Sequence, residues 1–135
     1  MGWLGSSERI RQPRKLRLLF LAIAVGSFVV TESVRLGLRP RLRAAGIHDS
    51  WLTGSIGNLG GILVQIFVTL AMLNPTRAQS YRLAAFLSLG YVVYEFLQPV
   101  LPRGTFDWND VLATALGFLI AAAILTGIWL VAEPE

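Results

Sequence analysis

The sequence lacks the side chains that most often bind metals and cofactors. Its 135 residues include no cysteine and a single histidine, His48. Without cysteine the chain can form neither a disulfide nor a thiolate metal site. One histidine excludes, within one copy of the chain, a metal or haem site that needs paired histidines. We therefore expect no metal and no other cofactor, and we interpret His48 as a solvated loop residue.

Recognised catalytic sequence patterns are also missing. The chain contains no Walker loop, no nucleophile elbow and no HExxH segment. An enzyme built on this sequence would have to work with carboxylates alone. The sequence therefore favours a protein that is not an enzyme.

Charge is scarce as well, because only 15% of the residues are charged while 54% are hydrophobic. A soluble domain is roughly 45–50% apolar even when glycine is counted, and the mean hydropathy here is +0.59. A bilayer core about 30 Å thick takes roughly 20 helical residues to cross. Four apolar stretches of about that length are present, at residues 16–38, 51–73, 83–100 and 111–131.

These apolar stretches are continuous and show no polar alternation, which indicates helices and not barrel strands. The sequence thus predicts an all-α fold, a single membrane-embedded bundle of four transmembrane helices. The first stretch is too long for a cleaved signal peptide and has no clean cleavage site, so we interpret it as a retained anchor.

The basic residues give the chain a net charge of +4 and a pI of about 10.3. They cluster beside the predicted helix ends, which favours the lipid bilayer as partner and argues against nucleic acid. We predict that both termini are cytoplasmic, because the basic tail before the first helix then lies inside. The inner side would carry Arg9, Arg11, Arg14, Lys15, Arg17, Arg77 and Arg82, and the outer side Arg35, Arg39, Arg41, Arg43 and Arg103.

Glu95 is the leading functional candidate, because a carboxylate within a membrane span is costly unless it is paired or neutral. Helical spacing places Gln98 on the same face. Arg103 follows in the next connection and could bridge Glu95 to Asp107 or Asp110 through its planar guanidinium. The sequence thus predicts an outer polar cluster of Glu95, Gln98, Arg103, Asp107 and Asp110. The alternative is a structural clasp in which the two aspartates cap the fourth helix.

Small and amide residues in the second and fourth stretches indicate close helix packing. Gly57 and Gly61 have the spacing that lets two helices approach closely. Gly117 is predicted to allow the same close packing in the fourth stretch. Asn58 and Gln65 are intramembrane amides that can hydrogen-bond between helices. Two further predictions concern polar residues at helix ends: Asp49 caps the second helix, and Glu32 forms an interfacial ion pair with Arg35.

The third connection resembles the VanZ-like family of small bacterial membrane proteins. The resemblance rests on Tyr94-Glu95-Phe96-Leu97-Gln98-Pro99, on Arg103 and on Phe106-Asp107-Trp108-Asn109-Asp110-Val111 followed by Leu116-Gly117. Glu95, Gln98, Arg103, Asp107, Asp110 and Gly117 match the family pattern. Thr114 stands where the family usually has asparagine. The match covers residues 91–117, about a fifth of the chain.

The resemblance implies a multi-pass protein of the bacterial cytoplasmic membrane with a role in the cell envelope, since founding members are associated with tolerance to teicoplanin. The polar cluster would then bind a headgroup, a glycan or a glycopeptide-type ligand. Two alternatives stay open. One is a small non-catalytic accessory subunit that packs against a larger membrane protein complex or against itself. The other is an enzyme or carrier for a lipid-linked substrate that uses Glu95 as an acid or base.

Overall fold

The computed structural model describes residues 13–48 and 51–131. Helix α1 spans Arg14–Ser33 and continues through a π-helical turn, Val34–Leu38, into α2 at Arg39–Ala44. Helix α3 spans Leu52–Leu73 and α4 spans Arg77–Leu97, followed by a 3₁₀ turn at Gln98–Val100. Helix α5 spans Trp108–Val131. The predicted cap at Asp49 lies outside the described residues.

Four helices within the described residues are long and apolar enough to cross a membrane: Arg14–Ala44, Thr53–Leu73, Arg77–Val100 and Trp108–Val131. This finding confirms the predicted all-α class and the count of four spans. The helices extend beyond the predicted apolar stretches in two places, since the first helix continues past residue 38 to Ala44 and the third begins at Arg77 and not at residue 83. The first helix is thus roughly 46 Å long and exceeds the hydrocarbon core.

The turn between α3 and α4 is set by three consecutive residues. Asn74 adopts a left-handed conformation, with φ of 49°, and ends α3. Pro75 follows, and Thr76 then begins α4 with a capping box, in which its hydroxyl accepts from the Gln79 backbone N–H while the Gln79 side chain accepts from the Thr76 N–H. This tight connection makes α3 and α4 antiparallel neighbours.

Helix α3 lies at the centre of the bundle, where it packs against α1, α4 and α5. Its buried residues Ile62, Ile66 and Phe67 form the middle of the core, and the Phe67 ring lies 5.9 Å from that of Phe20 on α1. At one end, the Arg17 side chain donates to the Ala71 carbonyl and joins α1 to α3 at 2.9 Å. The opposite end holds the beginnings of α3 and α5 and the end of α4, and we call it the site end.

The glycines predicted to lie at helix contacts differ in how closely another helix approaches them. A Cβ at Gly117 of α5 would collide with Ile62 and lie 3.0 Å from the Leu59 carbonyl, so α5 meets α3 directly there. A Cβ at Gly61 would lie 3.2 Å from the Tyr91 hydroxyl of α4. Gly57 is exposed and has no atom within 4 Å of its Cβ position, so it does not pack against another helix among the described residues. The buried contact is one turn further on, where Gly60 meets Thr31 of α1.

Candidate functional site

Glu95 is buried at the site end of α4, with only 2% of its surface exposed. Its two carboxylate oxygens accept from different amides. Asn58 of α3 donates to Oε1 at 3.2 Å, and Gln98 donates to Oε2 at 2.6 Å. Asn58 was expected to serve helix packing, and it does join α3 to α4, but through the carboxylate. The Glu95 side chain thus links two helices and the 3₁₀ turn.

Asp110 is the second carboxylate of the site and lies in the first turn of α5. The side chain of Ser55, which is buried on α3, hydrogen-bonds to it. Asp110 also lies close enough to Glu95 for the two carboxyl groups to interact electrostatically. The buried hydroxyl of Thr114 donates to the Asp110 backbone carbonyl at 2.9 Å. Thr114 therefore hydrogen-bonds within its own helix.

Asp107 serves as the cap of α5. Its Oδ1 accepts from the Asn109 backbone N–H at 2.8 Å, and the residue is exposed. This hydrogen bond satisfies one of the backbone donors that a helix start leaves free. Asp107 therefore has the capping role that was the alternative to a role in the polar cluster. It also interacts electrostatically with Glu95.

Arg103 does not reach Glu95. It is exposed, adopts a left-handed backbone with φ of 64°, and forms no ion pair with any described carboxylate. The turn closes through hydrogen bonds from Leu101 N–H to the Gln98 carbonyl and from Gly104 N–H to the Leu101 carbonyl. A Cβ at Gly104 would collide with the Gln98 carbonyl, so this turn requires glycine there. The predicted bridge from Arg103 to Glu95 was wrong. The tight turn leaves Arg103 exposed, and its guanidinium does not contact the Glu95 carboxylate.

The ion pair predicted between Glu32 and Arg35 is confirmed, with 2.9 Å between carboxylate and guanidinium. It lies on the first helix, near the start of the π-helical turn. His48 is exposed in the connection that follows α2.

Three aromatic side chains, from Phe96, Phe106 and Trp108, form a cluster beside the site. Phe96 stacks on Phe106 with 5.1 Å between ring centroids, and Trp108 meets both rings edge-on at 5.0 and 6.0 Å. Trp108 is the ring of this cluster whose type is enriched at membrane–water interfaces.

The polar site consists of Ser55, Asn58, Glu95, Gln98 and Asp110. It brings two carboxylates together with amide and hydroxyl donors, and no described cation pairs with either carboxylate. No group of three or more histidine, cysteine or acidic side chains in the described ranges is arranged to hold a metal ion. Each carboxylate oxygen of Glu95 accepts one amide and keeps further acceptor capacity. The site therefore has unused acceptor capacity for hydrogen-bond donors or positive charge.

Ser55 was not predicted as a site residue, and Asn58 was predicted to serve helix packing. Both residues lie on one face of α3, three positions apart, which is the spacing of neighbours on a helix. That signal could have identified a polar face opposite Glu95. Comparison of the chain with models of known protein families, with curated proteins and with solved structures gave no match in any of the three.

Proposed function

We propose that the chain is a VanZ-like protein of the bacterial cytoplasmic membrane with a role in the cell envelope. It forms one transmembrane domain with both termini in the cytoplasm, so that the site end faces outward. The polar site there binds a lipid headgroup, a glycan or a glycopeptide-type ligand. The ligand presents hydrogen-bond donors or an ammonium group, because the site offers carboxylate acceptors.

The observation that carries this proposal is the burial of Glu95 without a cation. Removing a carboxylate from water costs several kcal/mol, and amide hydrogen bonds offset only part of that cost. Asp110 adds a second negative group nearby instead of a compensating positive one. A ligand cation or a cluster of hydroxyl groups would offset the remaining cost of burying the Glu95 carboxylate.

The orientation is supported by the charge distribution. With both termini inside, seven basic residues lie on the cytoplasmic side and five on the outer side, and the first helix with its basic tail usually dominates topology. The position of the aromatic cluster next to the polar site fits a site at the outer headgroup level.

The test compares two variants, each of which replaces one glutamate with glutamine. Glu95→Gln keeps the shape of the side chain and removes its charge. Glu32→Gln is the matched control, because it removes a partly exposed carboxylate already paired with Arg35. Cells that carry equal membrane levels of each protein are assayed for susceptibility to teicoplanin and other envelope-directed drugs.

We expect the phenotype conferred by the wild-type protein to be lost with Glu95→Gln and kept with Glu32→Gln. If both variants insert normally and both keep the phenotype, the polar site has no role in ligand binding. Loss with both variants would instead assign the effect to the general charge of this end of the bundle, which also contradicts the proposal.

A further inference from the structure

The first transmembrane helix carries a basic extension at the site end, beyond the part that crosses the hydrocarbon. Helix α1 continues through the π-helical turn into α2, at Arg39–Ala44. A hydrocarbon core that begins after Arg17 takes roughly 20 helical residues to cross and ends near Gly37. At about 1.5 Å per residue, Arg39 and Arg43 then lie roughly 3 and 9 Å outside it. The headgroup layer on each side is about 5–8 Å deep, so α2 passes through that layer.

The arginines of this extension have no counter-charge from the described protein. Arg39, Arg41 and Arg43 stand at alternate positions, and residues 33–48 include no aspartate or glutamate. None of the three forms an ion pair or a side-chain hydrogen bond with a described residue. Arg35, one turn earlier, differs because it pairs with a glutamate at 2.9 Å. The three charges of α2 are therefore open to an anion from outside the chain.

Two of these arginines lie on the same side of α2. Arg39 and Arg43 are four positions apart, which places their Cβ atoms about 5–6 Å from one another. Arg41 is two positions from each, and a rotation of about 100° per residue puts it on the opposite side of the helix. The planar guanidinium group is a bidentate donor that matches phosphate. Arg39 and Arg43, which we call the arginine pair, can therefore donate together to one phosphate group.

The direction of the helix favours a phosphate at the membrane surface. Side chains of an α-helix slope toward its N-terminus. The N-terminus of this helix is at the opposite end of the span, so the side chains of α2 slope back toward the bilayer. The phosphates of the lipid headgroups lie on that side of the arginine pair.

We propose that the arginine pair binds the phosphate of an anionic phospholipid. A zwitterionic lipid is a poorer ligand, because its headgroup brings an ammonium group of its own near the two guanidinium groups. Each basic residue near an anionic membrane surface contributes about fivefold in affinity. Headgroups surround α2 in either orientation of the protein, so this binding is independent of the ligand and the topology proposed above.

The test measures the binding of defined lipids to the purified full-length protein. Phosphatidylglycerol and phosphatidylcholine are titrated separately into the protein in a neutral detergent, and bound lipid is counted by native mass spectrometry. We expect phosphatidylglycerol to bind saturably and about 25-fold more tightly than phosphatidylcholine, since two arginines contribute about fivefold each. Arg39→Gln and Arg43→Gln should each weaken phosphatidylglycerol binding about fivefold. Arg39→Lys with Arg43→Lys should keep most of the preference, because an ammonium group also binds phosphate.

Two controls remove one positive charge elsewhere at the site end. Arg41→Gln changes the opposite side of α2, and Arg103→Gln changes the exposed turn after α4. Both should keep the wild-type affinity for phosphatidylglycerol. Equal weakening by all four glutamine variants, or equal binding of the two lipids by the wild-type protein, would overturn the proposal.

Two further measurements separate lipid binding from other roles of the arginine pair. Inorganic phosphate at millimolar concentration should not displace phosphatidylglycerol, and displacement would overturn the proposal in favour of a soluble anion. Arginines in the last turn of a helix also stabilise its free carbonyl groups. Circular dichroism of the lipid-free variants should show unchanged helix content. A loss of helix that accompanies the weaker binding would assign the arginines to the helix end and contradict the proposal.

Discussion

Replacement of Gly117 by alanine is expected to weaken the contact between α3 and α5. An added Cβ would collide with Ile62 and lie 3.0 Å from the Leu59 carbonyl, which belongs to the backbone and cannot rotate away. The two helices would have to separate at a buried position. Overpacking of this kind costs typically about 1–3 kcal/mol. We expect the free energy of unfolding to fall by about that amount.

Gly127 provides a control on the same helix. It is exposed and has no atom within 4 Å of its Cβ position. Gly127→Ala is therefore expected to be neutral or to stabilise the protein by up to about 1 kcal/mol through helix propensity. The assay is reversible unfolding of both variants in mixed micelles, monitored by far-ultraviolet circular dichroism. Equal stability of the two alanine variants would refute the packing of α5 on α3 described above.

Substitutions at three further positions test the turn and the cap at the site end. Gly104→Ala should lower the unfolding midpoint in the same assay, because its Cβ meets the Gln98 carbonyl; an unchanged midpoint would show that the turn has a different shape. Arg103→Gly should raise stability by about 1 kcal/mol by relieving a left-handed conformation, and a loss of stability would indicate that the guanidinium has a structural partner. Asp107→Ala should lower stability by about 1 kcal/mol while Asp107→Ser should not, since serine also caps; equal losses would exclude capping.

Much of the fold could be predicted from hydropathy, because burial in lipid demands long continuous apolar helices whatever their neighbours are. The continuation of the first helix to Ala44 could not be predicted in the same way. Arginines such as Arg39 and Arg43 mark the end of the apolar stretch, but arginine is a good helix former and the helix continues into them. Hydropathy therefore located the membrane span and not the helix end.

The polar site was predicted only in part, for a related reason. Spacing along one helix identified Glu95 and Gln98 as neighbours, and the structure joins them at 2.6 Å. The contact from Asn58 depends on how α3 packs against α4, which a single sequence does not specify. Arg103 was expected at Glu95 because it is near in sequence, but the geometry of the tight turn keeps the two apart.

The ligand site is tested most directly by binding to the purified protein in lipid nanodiscs. Teicoplanin and a lipid with an amine headgroup are titrated separately into wild-type protein, Glu95→Gln and Glu32→Gln, and the heat of binding is measured. We expect saturable binding of at least one of these two probes to wild-type protein and to Glu32→Gln, and a loss of at least tenfold in affinity with Glu95→Gln. Absence of saturable binding to the wild-type protein, or equal affinity in all three, would contradict it.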